Sequence, residues 1–128
     1  MRNTKRFPAL FLSAVLLSAY SMQPVYAQSQ PAYIVTEAEM LDAKAYQEEY
    51  AKQAVALVGK MGGQFMVRGG TSIPQSPEGA QPRRVSLIKF ENKEKAQAFL
   101  NSDEFSKLKV IRDKTTKTHS FLIEGTGP

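Results

Sequence analysis

The chain has 128 residues, with 17 Lys and Arg against 12 Asp and Glu, no cysteine and one histidine. This length fits one small domain. The composition excludes disulfides, thiol catalysis and cysteine-ligated metals, and with His119 alone it excludes any site that needs two histidines. The carboxylates are not joined by a His or Cys cluster, so we expect no metal and no cofactor.

The positive charge is unevenly distributed. Arg2, Lys5 and Arg6 precede an apolar run, so residues 28–128 carry fourteen basic against twelve acidic residues. A basic stretch between Lys107 and Lys117 has no interleaved aromatic residues, and we expect it to face solvent or a subunit contact. This balance gives no reason to expect a nucleic-acid partner.

The N-terminus has the three parts of a secretory signal peptide. A basic start is followed by a short apolar run over 7–20, and Val25-Tyr26-Ala27 places small residues before a cut after Ala27. The run is shorter than the roughly 20 residues of a spanning helix, although an uncleaved anchor remains the alternative. We therefore expect residues 1–27 to be removed and the mature protein to be periplasmic or secreted, without membrane attachment. Absence of cysteine suits an oxidising compartment.

The first half of the mature chain reads as strand, helix and turn. Residues 28–31 are a flexible lead-in, and Ala32–Glu37 is rich in β-branched and aromatic residues, which predicts a strand. Asp42 is a candidate cap for a helix near 43–60, whose apolar stripe has spacings of three and four. Gly62-Gly63 is expected to end that helix.

The second half repeats this organisation. The sequence predicts capping by Asn92 of a short helix and by Ser102 of a second helix, Asp103–Arg112. The other predicted segments are a strand at Gln64–Arg68, a long loop at Gly69–Pro82, a strand at Arg84–Phe90, a strand at Thr118–Glu124 and a frayed tail at 126–128.

The order β-α-β-β-α-β predicts one α+β domain over residues 32–125 with the ferredoxin-like fold. Helices then cover one face of the sheet, but both alternating sets of strand residues are apolar. The second face needs another cover, and a second copy of the chain is the natural one. We therefore expect a homodimer in which the sheets of the two chains pack face to face.

Several segments together resemble the domain of unknown function 1330 family, within the dimeric α+β barrel superfamily. The resemblance spans residues 32–125 and implies a homodimer with a cavity, without implying a reaction. The segments that carry it are Ala32-Tyr33-Ile34, Gly62-Gly63 with Val67-Arg68-Gly69-Gly70, Pro82-Arg83-Arg84, Ile88-Lys89-Phe90, and Phe99 with Ser102-Asp103-Glu104-Phe105 and Arg112.

Arg68 is the strongest candidate for a ligand contact. Strict alternation along the second strand would place Phe65 and Val67 under the helices and Arg68 in the space between sheets. A guanidinium there would hold a carboxylate through two parallel hydrogen bonds. The structural alternative is an ion pair with an acidic side chain of the same or the partner chain.

His119 and Tyr33 are the secondary candidates. His119 is the only side chain whose unperturbed pKa lies near neutrality, which makes it the candidate catalytic base. Tyr33 is a candidate hydroxyl donor to a ligand. For both, packing on a strand is the alternative interpretation.

These observations favour an exported homodimer that binds a small organic acid in the cavity between its sheets. One alternative is a cofactor-independent monooxygenase or isomerase with His119 as base. The other is a structural or interaction dimer whose interior is filled by side chains. A pocket with convergent polar groups would favour a ligand-binding function over the packed dimer.

Overall fold

The computed structural model describes residues 29–72 and 83–126. The predicted signal peptide, most of the predicted loop over 69–82 and the end of the tail lie outside the described residues. The elements are β1 (Ala32–Met40), α1 (Ala43–Ala45), a π-helical segment (Tyr46–Ala51), α2 (Lys52–Lys60), β2 (Gln64–Thr71), β3 (Arg84–Phe90), α3 (Lys93–Leu100), α4 (Asp103–Thr115) and β4 (Thr116–Glu124).

The four strands form one antiparallel sheet in the order β2-β3-β1-β4. Two neighbours in sequence, β2 and β3, form a hairpin, and β1 lies in the centre between β3 and β4. The helices connect β1 to β2 and β3 to β4, which is the ferredoxin-like α+β arrangement. The predicted fold class is confirmed.

Side-chain caps begin three of the helices at the predicted positions. Asp42 accepts a hydrogen bond from the Ala45 amide at 2.9 Å, Asn92 from the Lys95 amide at 2.9 Å and Ser102 from the Phe105 amide at 3.1 Å. Each bond satisfies an amide that has no partner within its own helix.

The helix predicted near 43–60 is continuous but not uniform. Its middle, Tyr46–Ala51, is π-helical between the α-helical turns on either side. A π-helical turn holds more residues than an α-helical one, and such insertions are frequent at functional sites. Tyr46 and Tyr50 lie in this turn with their ring centroids 5.0 Å apart.

Two glycines end α2 for different reasons. Gly62 has φ +80°, a left-handed conformation that glycine adopts at little cost. Gly63 lies so close to the core that a Cβ there would be 2.7 Å from Phe90 Cζ and 2.8 Å from Val58 Cγ1. Glycine at 63 thus allows the β2 backbone to pack against the helix and the sheet.

The hydrophobic core lies between the helices and one face of the sheet, here called the helix face. Phe90 and Val58 are its most fully buried large side chains, and the rings of Phe90 and Phe99 lie 5.4 Å apart. The buried cluster consists of Ala32, Ile34, Ala54, Leu57, Val58, Ile88, Phe90, Ala96, Phe99, Phe105 and Leu108.

The opposite side of the sheet, here called the open face, is apolar and uncovered within one chain. Val67 is 39% exposed, Phe121 44% and Ile123 46%, and Met66 beside them is 52% exposed. Their exposure bears out the expectation that both alternating sets of strand residues are apolar. Such a surface is unusual for a chain without a partner.

Within the described residues, none of the helices combines the length and the apolar character that a membrane-spanning helix needs.

Candidate functional site

A cavity of about 620 Å³ lies between the helix face of the sheet and the helices. It is bounded by one chain alone. The sequence predicted a cavity on the other side of the sheet, between two chains. The space found in the chain differs in position because the helix layer does not fill the volume above the centre of the sheet.

The floor of the cavity changes in polarity along the strands. Ile34 pairs with Ile88 to form an apolar step. The next step on the same face is polar, since Thr36 pairs with both Ser86 and Ser120, and the Thr36 and Ser120 hydroxyls are hydrogen-bonded at 3.0 Å. One step further, Ala38 lies between Arg84 and Thr118. The floor therefore runs from isoleucines through hydroxyls to an arginine.

The roof is aromatic and basic. Tyr46 and Tyr50 reach the cavity from the π-helical segment, and Phe105 and Arg112 reach it from α4. The Arg112 guanidinium lies 5.8 Å from the centre of the Phe105 ring. This distance is within the range of a cation–π contact.

The residues that line the cavity include five cations and no carboxylate, among the described parts of the chain. Two of the cations share Asp113, which lies outside the lining: Arg112 donates to it at 2.9 and 3.0 Å and Lys109 at 3.2 Å. Burial opposes ionisation of Asp113, but these bonds hold its pKa below the usual range. The cavity therefore keeps an excess of positive charge, from Lys52, Arg68, Arg84, Lys109 and Arg112.

The two tyrosines of the roof are neutral donors over the physiological range. Burial raises the pKa of Tyr50 to about 12, with a further contribution from the neighbouring Tyr46, although the positive charge of Arg112 opposes it. Burial also raises the pKa of Tyr46, which Arg84 and Arg112 partly offset. These phenols can donate hydrogen bonds to an anion without repelling it.

The raised pKa of Tyr50 predicts a loss of stability at alkaline pH. The unfolded chain releases this proton near pH 10 and the folded chain near pH 12, so between them the unfolded state binds fewer protons and the unfolding free energy falls as pH rises. The slope from this group is at most about 1.4 kcal/mol per pH unit. Chemical denaturation at pH 9, 10, 11 and 12 should show a shallower decline for Tyr50→Phe than for wild type. If the unfolding free energies of the two proteins fell in parallel with pH, the raised pKa of Tyr50 would be contradicted.

Arg68 lines the cavity on the helix face, although strict alternation along β2 predicts that its side chain lies on the opposite face. Phe65 pairs with Ile88 and Val67 with the next residue, Leu87, so β2 has a register shift there and another between Val67 and Gly70. Val67 therefore does not pack under the helices as expected: it faces the open side. Arg68 is exposed and lines the cavity on the helix side instead of pointing into the space between sheets.

His119 and Tyr33 lie elsewhere. In register, Glu37 pairs with His119 and Tyr33 with Ile123, which places both candidates on the open face. His119 is exposed, with its ring 5.9 Å from that of Phe121. Neither residue lines the cavity, so the structure does not bring the three sequence candidates together.

Four residues that line the cavity were not proposed as ligand contacts from the sequence: Tyr46, Tyr50, Arg84 and Arg112. The tyrosines looked like part of an apolar helix stripe, and Arg112 belonged to a stretch expected to face solvent or a subunit contact. The Arg112 side chain is only 11% exposed. A signal was present, because Arg112 lies one turn after Leu108 on the apolar side of α4.

The family model described as "Domain of unknown function (DUF1330)" matches residues 31–126 of this chain. No curated protein matches this chain in sequence.

Solved structures with the same fold are remote in sequence. A protein of unknown function from Rhodopseudomonas palustris has a TM-score of 0.61 at 11% identity, over 78% of this chain and 85% of that one. SnoaB, a cofactor-independent oxygenase from Streptomyces nogalater, has a TM-score of 0.53 at 10% identity, over 78% of this chain and 97% of that one. At these identities the likeness extends to the fold alone.

Proposed function

We propose that this chain, which belongs to the DUF1330 family, binds a small organic acid in the cavity between its sheet and its helices. The observation that carries the proposal is the lining: five cations and no carboxylate around about 620 Å³, with an apolar step in the floor. Pockets of roughly 300–1,000 Å³ with a few convergent polar groups are typical of small-molecule sites. An anion would satisfy charge that the protein itself leaves uncompensated there.

Arg68 would contribute from the mouth of the cavity, where it is exposed. Its guanidinium is free to turn toward an entering carboxylate, which supports a role in capture. Arg84 and Arg112 line the same cavity and are less exposed than Arg68.

An enzymatic alternative, a cofactor-independent monooxygenase or isomerase, has less support. Among the described residues, the lining holds no histidine and no carboxylate to act as a general base. His119, the candidate base, lies on the open face. The oxygenase activity of the Streptomyces protein is a property of that protein.

A comparison of benzoate with benzamide tests the proposal. The two have the same shape but only benzoate is charged, so benzoate should raise the melting temperature more, and Arg68→Gln should reduce its effect because one hydrogen-bonding cation is lost. Native mass spectrometry of protein purified from its own source should show a retained acid. Equal responses to benzoate and benzamide would contradict the proposal.

We also propose that two chains associate through their open faces, as the dimeric barrel predicted from the sequence. The exposure of Val67, Phe121 and Ile123 supports this association. Tyr33 and His119 would then face the partner subunit, where either packing or a ligand contact between sheets is open to them.

We also propose that the protein is exported after cleavage of a signal peptide. The basic start, the short apolar run and the Val25-x-Ala27 site favour cleavage between Ala27 and Gln28, with release to the periplasm or the medium. The intact mass of the periplasmic protein should match residues 28–128. Full-length chain in the membrane fraction would instead support an uncleaved anchor.

A further inference from the structure

We infer that the ligand is an aromatic carboxylic acid, held with its carboxylate on Arg84 and its ring system over the isoleucine end of the floor. This inference rests on the proposed binding function and deepens it: it names the chemical class of the acid and its orientation.

Arg84 is a donor whose partner is missing within the described residues. Its Nε atom is buried and has no hydrogen-bond acceptor in residues 29–72 or 83–126. A buried donor without a partner costs about 1–3 kcal/mol. Gly69 lies next to Nε, and no solvent-sized atom reaches Nε from the cavity. A carboxylate in the cavity would therefore meet the terminal Nη atoms of Arg84 through two parallel hydrogen bonds.

Gly69 holds that guanidinium in place. A Cβ at this position would lie 2.6 Å from Arg84 Nη2 and 2.7 Å from Nε. Gly69 also has φ +64°, and its amide donates to the Ser86 hydroxyl at 3.1 Å. The bulge in β2 thus brings the Gly69 backbone against the Nε–Nη2 edge of Arg84, beside the hydroxyl step of the floor.

The apolar end of the cavity fits flat rings. Phe99 and Phe105 lie with centroids 4.6 Å apart and both line the cavity, as does Phe65. With the two roof tyrosines, five aromatic side chains line the cavity. Aromatic rings gain offset and edge-to-face contacts with one another beyond the burial of area.

The change from apolar to polar side chains along the floor disfavours the binding of other classes of anion. Inorganic phosphate would reach the arginines but leave the apolar end in contact with water. A dicarboxylate would place its second charge against the side chains of Ile34 and Ile88, which offer it no hydrogen bond. An acid with one charged end and an aromatic body matches both ends of the floor.

Calorimetric titration with 2-naphthoate, decanoate, acetate and inorganic phosphate tests the inference. We expect 2-naphthoate to bind at least about tenfold more tightly than each of the others.

Loss of hydrogen bonds to a charged group corresponds to about ten- to a hundredfold in affinity, and we expect this loss of 2-naphthoate affinity for Arg84→Gln. Arg84→Lys should rescue little, because an ammonium lacks the planar fork. Gly69→Ala should weaken binding because it displaces the guanidinium.

Arg83→Gln is the matched control, since it removes the same charge from an exposed neighbour that does not line the cavity. It should bind as wild type, and circular dichroism should show all variants folded. If acetate and phosphate equal 2-naphthoate, or if decanoate exceeds it, the aromatic class is wrong while acid binding stands. If no acid binds, the proposed function itself fails. Unchanged 2-naphthoate affinity in Arg84→Gln would overturn the assigned orientation.

Discussion

Phe121→Lys should convert the proposed dimer to a monomer at micromolar concentration. Phe121 lies on the edge strand β4, where it pairs with Val35 of β1, and it is 44% exposed in one chain. Two charged ammonium groups at this position, one from each copy, would have to be buried in a face-to-face dimer, and removal from water costs several kcal/mol per ion. Sedimentation velocity or light scattering measures the mass directly.

Val110→Lys is the control for this change. Val110 is an apolar residue that is 57% exposed, but it lies on α4 and not on the sheet. Its substitution should leave a dimer intact. A wild-type protein that is a folded monomer at these concentrations would refute association through the open face, as would a dimer that survives Phe121→Lys.

Phe90→Ala should lower the free energy of unfolding by about 3–5 kcal/mol, the range for a phenylalanine in a close-packed core. Phe90 is 1% exposed and packs against Phe99 and beside Gly63. Truncation would leave a void there because the surrounding backbone cannot collapse around it. Urea denaturation at several protein concentrations separates this loss from any change in dimerisation.

Phe65→Ala provides the comparison within the same chain. Phe65 is partly buried and lines the cavity, so its truncation enlarges a space that already exists. We expect less than half the loss seen for Phe90→Ala. Equal losses would contradict the cavity, because they would mean that both rings are packed on all sides.

The fold could be predicted because its signals are local. Asp42, Asn92 and Ser102 each precede a helix, and the glycines at 62 and 63 follow one. The order of elements then fixes the topology, since a βαββαβ chain with antiparallel neighbours has few alternatives. The ends of β1, β2 and α4 extend a few residues beyond the predicted bounds, where propensity alone gives no sharp boundary.

The position of the cavity could not be predicted in the same way. The prediction for Arg68 assumed unbroken alternation, but two register shifts in β2 change which face each residue occupies. Gly69-Gly70 within a strand is the sequence sign of such a bulge, and it was interpreted as the start of a loop. Strands that are apolar on both faces also leave open which face borders an internal space.

The residues of the roof depend on tertiary packing. A π-helical turn has no simple sequence signature, so Tyr46 and Tyr50 could be placed on a helix but not in a cavity. Arg84 is the first residue of β3. Its guanidinium fits beside residue 69, fifteen residues earlier, because glycine there has no side chain.

A crystal structure of the protein with 6-bromo-2-naphthoate would show where the acid binds, because anomalous scattering from bromine locates the ligand independently of the protein. We expect the carboxylate within hydrogen-bonding distance of the Arg84 guanidinium and the bromine at the isoleucine end of the cavity, near Phe99. Bromine located between the open faces of two chains, beside Tyr33 and His119, would contradict it, as would an empty cavity at saturating ligand.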